Sequence, residues 1–362
     1  MKKLDRYILG KFLNTFFYSI VVLTVIVVVI DWSEHADDFV QSKLPVWRIF
    51  TDYYAGFVPR IDAMLFPLFV FISVIFFTSK MAERTEIVAI ISAGVSLRRM
   101  LLPYWIGSTF LALILWAGYH TVLPRANVIW SNFEASYVKG TLNIATEPFP
   151  RNFYFRLDSN SYAGMRYFDT TSRSGGVFFV QKFVNNQLVY NMRSSSFYWD
   201  STNKNWHFTN VLERTIAGDG EAMKVTPSLE KKYNFKPRDL RKDEYLKDRL
   251  STPELNELIR LERLRGKEGI NSLLVERYNR DAIPVSVIIL SLIGAILASR
   301  KVRGGSGFHL AIGVIFSVTY ILLGRFSVVF ATKGSFDPLL AAWMPNMLFA
   351  MIAYWLYLRA PK

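Results

Sequence analysis

Six charge-free apolar runs dominate the hydropathy pattern: 12–30, 63–79, 101–123, 282–299, 308–324 and 338–358. A bilayer core about 30 Å thick is crossed by roughly 20 helical residues, and runs of about 17 to 25 suffice, so each run predicts a spanning helix. The shorter runs reach full length by tilting or by letting flanking charges snorkel. Three runs precede a polar middle and three follow it. The middle has a different period. Phe153/Phe155/Leu157, Val177/Phe179/Gln181/Phe183, Leu188/Tyr190/Met192 and Trp206/Phe208 alternate as strands do. The clusters Ser174-Gly175-Gly176, Asn185-Asn186, Ser201-Thr202-Asn203-Lys204-Asn205 and Gly218-Asp219-Gly220 read as turns between them. Short strands with tight turns predict an antiparallel sandwich or roll. The chain therefore reads as a membrane α-helical protein of six transmembrane helices with an inserted all-β domain. Residues 1–123 hold three spans, 124–250 the β domain, 251–281 a connecting helical segment and 282–362 three more spans.

The connecting segment opens at Ser251-Thr252-Pro253-Glu254, where Ser251 and Glu254 have capping-box spacing and the proline costs little in a first turn. Leu255, Leu258, Ile259 and Leu261 form its apolar stripe, and Arg260, Arg263, Arg265 and Lys267 a solvated face. Gly266 and Gly269 interrupt the helix before 270–280 feeds into the fourth span.

Composition agrees with the pattern. Of 362 residues 51% are hydrophobic and only 20% charged, where soluble domains carry about a quarter. Cysteine is absent, which excludes disulfides, thiolate metal sites and cysteine nucleophiles. The net charge of +14 invites a nucleic-acid reading until the basic residues are located. Lys2, Lys3, Arg6 and Lys11, then Lys80, Arg84, Arg98 and Arg99, then Arg300, Lys301 and Arg303, and finally Arg359 and Lys362 fall at one end of the six spans. Only Asp5, Glu83 and Glu86 oppose them there. At the other end, Asp31, Glu34, Asp37, Asp38, Asp52 and Asp62 outnumber Lys43, Arg48 and Arg60. The positive-inside rule puts both termini in the cytoplasm and exports the β domain. The charge is a topology signal, and no nucleic-acid partner is expected. Asp31-Trp32-Ser33-Glu34 offers no small-residue cleavage site, so the first run is read as a retained span.

Chemistry-bearing motifs are scarce. His35, His120, His207 and His309 lack metal-ligand spacing, and no metal or cofactor is expected. No G-x-x-x-x-G-K-[ST] loop is present, so ATP hydrolysis is expected elsewhere than in this chain. Arg303-Gly304-Gly305-Ser306-Gly307 is a hairpin between spans, without the strand–loop–helix context of a phosphate cradle. The informative cytoplasmic segment is 83–94. Ile87, Ile90 and Ile91 share one helical face, Glu83 and Glu86 lie opposite, and Gly94 is a natural stop. Two acids suit an anionic leaflet poorly, so docking onto a basic groove of a cytoplasmic partner is the better reading.

Ionisable residues at the membrane are the second clue. Arg325 lies about 17 residues, or roughly 25 Å, past the cytoplasmic start of the fifth run, near the outer boundary. Asp31, Arg60, Asp62 and Arg125 lie at comparable heights. They read either as anchors and internal ion pairs, such as Arg325 with Asp62 or Asp337, or as a cavity rim offering charge to an anionic lipid headgroup.

In order along the chain, Leu4-Asp5-Arg6-Tyr7-Ile8, Val58-Pro59-Arg60 with Phe66-Pro67, Arg84-Thr85-Glu86-Ile87-Val88 with Ser92-Ala93-Gly94, Pro284 and Pro345 resemble the LptF/LptG permeases of the lipopolysaccharide-export ABC transporter, over essentially the whole chain. The Leu-Asp-Arg-Tyr-Ile start is closer to LptG than to LptF. The resemblance implies an inner-membrane heterodimer of two such permeases, driven by a cytoplasmic ABC ATPase dimer. It implies that the insertion is a periplasmic jelly roll passing lipopolysaccharide to LptC/LptA-type β proteins. It carries ATPase coupling onto Glu86, with Glu83, Arg84, Ile87 and Gly94 around it, and puts Arg325 beside a lateral gate formed by the first and fifth spans. A family basic residue at the start of the second span falls on Arg60. Where LptG-type chains can carry a lysine, this chain has Asp31, so lysine-based headgroup recognition does not transfer. Arg60, Arg325, Arg125 and Asp31 are the substrate-binding candidates and no catalytic residue is expected. The competing classes are an integral-membrane enzyme acting on envelope lipids, which needs a catalytic pair at the outer face, and a scaffold that transmits force without transport.

Overall fold

The computed structural model describes residues 3–138, 153–158, 160–169, 172–217, 220–233, 235–237, 245–265, 269–300 and 305–359. The expected features at Lys2, Gly218-Asp219, Gly266, Lys267, Lys301, Arg303-Gly304 and Lys362 lie outside the described residues. The chain divides into two compact units. One comprises Met1–Glu134, Lys247–Leu255 and Asn271–Lys362, and the other Ala135–Leu246 with Asn256–Ile270.

The first unit is helical. Its elements are α1 (Lys3–Glu34), the short α2 (Ala36–Gln41) and α3 (Val46–Ile49), α4 (Ala55–Glu83), α5 (Glu86–Ser92) and α6 (Leu97–Phe133). After the β domain come α7 (Leu246–Arg249), α8 (Thr252–Arg265), which from Asn256 onward belongs to the second unit, α9 (Ile270–Ala298), α10 (Gly305–Lys333) and α11 (Pro338–Leu358). Among the described residues six stretches are long and apolar enough to cross a membrane: Lys3–Glu34, Val46–Glu83, Leu97–Tyr137, Ile270–Ala298, Gly307–Lys333 and Pro338–Leu358. The six spans are therefore present, and most extend beyond their charge-free cores. A π-helical turn at Phe50–Tyr54 joins α3 to α4 into one span, and another at Glu134–Val138 ends the third. Pro59, Pro67, Pro103, Pro124, Pro284 and Pro345 all sit inside helices. Neighbouring helices and hydroxyl side chains satisfy the backbone groups that such prolines free.

Helix α4 is the spine. Phe66, Phe69, Val70, Val74 and Phe77 pack with Ile8, Phe12 and Phe16 of α1, Leu97, Met100, Tyr104 and Leu111 of α6, and Val287 of α9. Phe71 and Ile75, on its other side, meet Leu290 and Ile293 of α9 and Phe349 of α11. By contrast, Phe17, Tyr18, Val21, Val25 and Val29 of α1, and Ile315, Phe326 and Phe330 of α10, are exposed apolar positions. Contacts identify which helix ends lie together. Asp5 meets Arg99, Arg98 meets Tyr357 and Arg300 meets the Arg359 carbonyl, which defines a terminal end of the bundle. The opposite end, where the β domain is inserted, is the insertion end.

The second unit holds a six-stranded antiparallel sheet: β1 (Phe153–Arg156), β2 (Ser161–Asp169), β3 (Ser174–Val184), β4 (Gln187–Asp200), β5 (Asn205–Ala217) and β6 (Gly220–Lys231). Each strand pairs with the next in sequence, so the connectivity is a meander rather than the double Greek key of a jelly roll. Phe178, Met192, Phe197, Trp206, Phe208 and Phe235 form its aromatic core, and the buried Trp206 donates to the Phe235 carbonyl at 3.0 Å. Asn185 and Asn186 take φ of 49° and 62°, the left-handed pair that a two-residue hairpin turn requires. The expected turn at Ser174-Gly175-Gly176 is instead the start of β3. A Cβ at Gly175 would lie 2.6 Å from the Phe197 ring, so the glycine serves close packing and not chain reversal.

Candidate functional site

Two constellations gather the residues singled out in the sequence, one at each end of the helical unit. At the terminal end, α4 stops at Glu83 and the chain turns through Arg84 and Thr85, whose φ is 60°. Helix α5 then runs only from Glu86 to Ser92. It ends in a Schellman turn: Gly94 (φ 80°) donates to the Ile91 carbonyl at 2.9 Å, and Val95 to the Ile90 carbonyl at 3.3 Å. Ile87 is buried, with Ile90 and Ile91 packed partly buried on the same core. The sequence places Glu83 and Glu86 on one helical face. The Arg84-Thr85 break separates them, leaving Glu83 on α4 and Glu86 at the start of α5. Glu83, Arg84, Val88, Ala89 and Ser92 are exposed. Glu86 is partly covered, accepting from the Tyr7 hydroxyl at 2.9 Å and lying 3.5 Å from Lys11 Nζ.

At the insertion end the four substrate-binding candidates divide. Asp31 is 6% exposed and accepts hydroxyl hydrogens from Tyr53 (3.1 Å) and Tyr54 (2.9 Å), with His35 Nδ1 3.3 Å away. It fastens the π-helical turn to α1, inside an aromatic cluster that includes Trp32, Phe39 and Phe133. Arg60 stacks on Trp130 at 4.0 Å and donates to Asn127 Oδ1 at 3.3 Å, with Asp248 at 3.7 Å. Arg125 and Arg325 are exposed, and among the described residues neither forms an ion pair. The expected pairs of Arg325 with Asp62 or Asp337 do not form. Asp62 takes the Thr24 hydroxyl at 2.6 Å, and Asp337 caps α11 through the backbone N–H groups of Leu339 and Leu340. Arg325 instead approaches Met64 Sδ at 3.3 Å, one helical turn from Arg60 on α4.

A third group was not singled out from the sequence. Arg280 is 1% exposed and donates to Glu276 (3.2 Å), the Thr252 hydroxyl (3.1 Å) and the carbonyls of Lys247 (3.0 Å) and Leu250 (2.9 Å). His120 bridges Thr252 (2.7 Å) and Asp281 (3.3 Å), and Trp116 and Arg277 also donate to Asp281. Hydroxyl, imidazole and carboxylate thus stand in a row, the order an acyl-transfer enzyme uses. Thr252 Oγ, however, is enclosed and already accepts from Arg280, whereas a nucleophile needs an open face beside oxyanion donors. The row fastens the segment 247–252 to the middle of α6, at Trp116 and His120, and to α9 at Arg280 and Asp281. Its legible trace was the pair of (i, i+4) spacings, Glu276–Arg280 and Arg277–Asp281. Among the described residues no group of three or more His, Asp or Glu is arranged to hold a metal ion.

In the β domain, charge chemistry is cross-strand. Glu213 on β5 accepts from Tyr190 of β4 and from Lys231 of β6 at 3.1 Å, and these donors hold its carboxyl below the usual carboxylate range. Burial, with the Glu213 charge beside it, pushes the Tyr190 phenol up. Burial raises Tyr233 to about 12.

The family model for the lipopolysaccharide export system permease LptF/LptG matches residues 6–359, nearly the whole chain. No curated protein matches it.

Proposed function

The chain belongs to the LptF/LptG family, the permeases of the lipopolysaccharide export system, and we propose that it is the transmembrane lever of an ABC exporter. It lifts lipopolysaccharide from the outer leaflet of the inner membrane toward its β domain, driven by ATP hydrolysed in a separate cytoplasmic ATPase dimer. The family match over 6–359 carries this reading. The basic terminal end supports cytoplasmic termini and a periplasmic β domain. The exposed residues of 83–92, with the half-covered Glu86 carboxylate, support docking to a basic groove of the ATPase. The unburied apolar faces of α1 and α10 suit a second permease or lipid at a lateral gate. Among the described residues strand β6 stands last in the sheet, a position that suits strand addition by LptC/LptA-type β proteins. The Leu4-Asp5-Arg6-Tyr7-Ile8 start favours the LptG role.

The test is Glu86→Lys in the assembled complex, reconstituted in proteoliposomes carrying lipopolysaccharide. The variant is expected to remain in the membrane and to lose both lipid release and transport-coupled ATPase activity. Release at the parent rate would remove the coupling role.

A further inference from the structure

Helix α5 is mechanically separate from its covalent neighbours. The left-handed Thr85 precedes it and the left-handed Gly94 follows it, so neither α4 nor α6 continues into it as a rigid rod. A push on α5 must therefore leave through side-chain contacts, and the first turns of α1 supply them on two rows. On one row, Asp5, 2% exposed, meets Arg99 Nη2 at 2.5 Å. Below it Ile8, Phe12 and Phe16 are buried in the cluster that holds Ile87, Leu97, Met100 and Tyr104. Phe12 lies 5.8 Å from the Phe77 ring and 6.4 Å from the Tyr104 ring. On the other row, Tyr7 and Lys11 are one turn apart. Both reach Glu86, and the Lys11 ammonium sits 4.4 Å from the Tyr7 ring centroid. The amino-terminal turns of α1 thus hold the first residue of α5 on one side and the first turn of α6, at Arg99, on the other.

We propose that Asp5, Tyr7 and Lys11 form a linkage that passes displacement of the docking segment directly to the first span, using Glu86 and Arg99 as its anchors. This rests on α5 being the surface that the ATPase moves. The pair of buried Asp5 with the one-third exposed Arg99 ties the start of α1 to α6 through the stroke. Tyr7 and Lys11 are positioning residues. They orient the Glu86 carboxylate and bind its motion to α1. An α-helix with its backbone bonds intact is stiff along its axis, so a shift at Tyr7 reaches the far end of the same helix. The coupling carboxylate and the first span are then two parts of one lever, alongside the packing of Ile87 on Met81 and Ala82 of the spine α4.

The experiment uses the full complex in proteoliposomes with lipopolysaccharide as cargo, comparing the parent with Tyr7→Phe combined with Lys11→Met. The linkage predicts ATP hydrolysis within about two-fold of the parent and lipid released per ATP lowered at least five-fold. Because this chain has no cysteine, introduced cysteines at the exposed Val29 and Phe330 can carry spin labels alongside cysteine-free partner chains. The label separation is expected to change on vanadate trapping in the parent and to stay fixed in the double variant. Lys11→Arg, which keeps the charge, should restore both readings. A merely structural defect would lower assembly and hydrolysis together. If the double variant does not assemble, Lys11→Met alone keeps the Tyr7 contact and is expected to give the same uncoupling at smaller amplitude. Parent-like lipid per ATP and a parent-like label shift in the variants overturn the linkage. If the parent couples normally, that result leaves the ATPase reading intact. If Glu86→Lys exports normally, both fail.

Discussion

Arg280 is the residue whose loss should disturb the helical unit most. Its guanidinium is fully enclosed and satisfies two backbone carbonyls, Lys247 and Leu250, besides Thr252 and Glu276. Arg280→Leu removes the donors and leaves the buried Thr252 hydroxyl and the part-buried Glu276, Lys247 and Leu250 acceptors without them, a loss of about 1 to 3 kcal/mol. A lowered thermal midpoint of the full chain in detergent is the expected reading, with Arg280→Lys intermediate because it lacks the planar fork. A midpoint unchanged by Arg280→Leu would show that 247–252 is held by something else. At the same scale, the surroundings of Asp31 were not legible in the sequence. A carboxylate at the end of an apolar run has the same spelling whether it lines a cavity or is capped by hydroxyls. Its caps, Tyr53 and Tyr54, come from a π-helical turn that hydropathy does not reveal.

Among the elements, what the sequence disclosed follows from what each element faces. Span cores were legible because lipid excludes charge, so 12–30 and 282–299 stand out without any context. Span ends were not. Helix α6 continues to Phe133, past Pro124 and Arg125, because beyond the bilayer core a helix can carry polar residues and then reads as loop. Strands with a buried face, such as β3 and β5, alternate visibly, whereas the edge strand β6 is exposed along most of its length and has no period to read. Helix α5 was half legible: its isoleucines and Gly94 were, but the Arg84-Thr85 break was not. The acidic link across β4, β5 and β6 gives this scale its prediction. Glu213 is held below its ordinary pKa by Tyr190 and Lys231, so the stabilisation is present above the unfolded value near 4.3 and is lost as pH falls through the lower folded value. Hydrogen-exchange protection of β4–β6 in the full chain should exceed that of Glu213→Gln by about 1 kcal/mol at pH 6, and the difference should shrink as acidification carries the pH through the lowered folded value. A difference that persists in acid would mean that the carboxylate charge is not what joins the strands.

For the whole molecule, the proposed function turns on which cations would meet the lipid. A headgroup phosphate recruits a guanidinium that is accessible and not already neutralised. Arg60 is a compromised probe of this idea, because it also covers Trp130 and approaches Asn127 and Asp248, so Arg60→Ala would loosen 247–249 as well as any substrate contact. Arg325 is the cleaner one. It is exposed, forms no ion pair among the described residues, and approaches Met64 one turn from Arg60, where charge at both positions would converge on one face of α4. Arg325→Ala is therefore expected to reduce photo-crosslinking of lipopolysaccharide to that face several-fold, while the amount of protein in the membrane is unchanged. Raising the ionic strength should weaken crosslinking in the parent and have little further effect in the variant, since an accessible charge contact is screened over about 10 Å at 0.1 M salt. Equal crosslinking in the two proteins at low salt would reassign Arg325 as an anchor of α10 at the membrane boundary. The path of the lipid would then have to be sought along the apolar faces of α1 and α10 instead of between their charges.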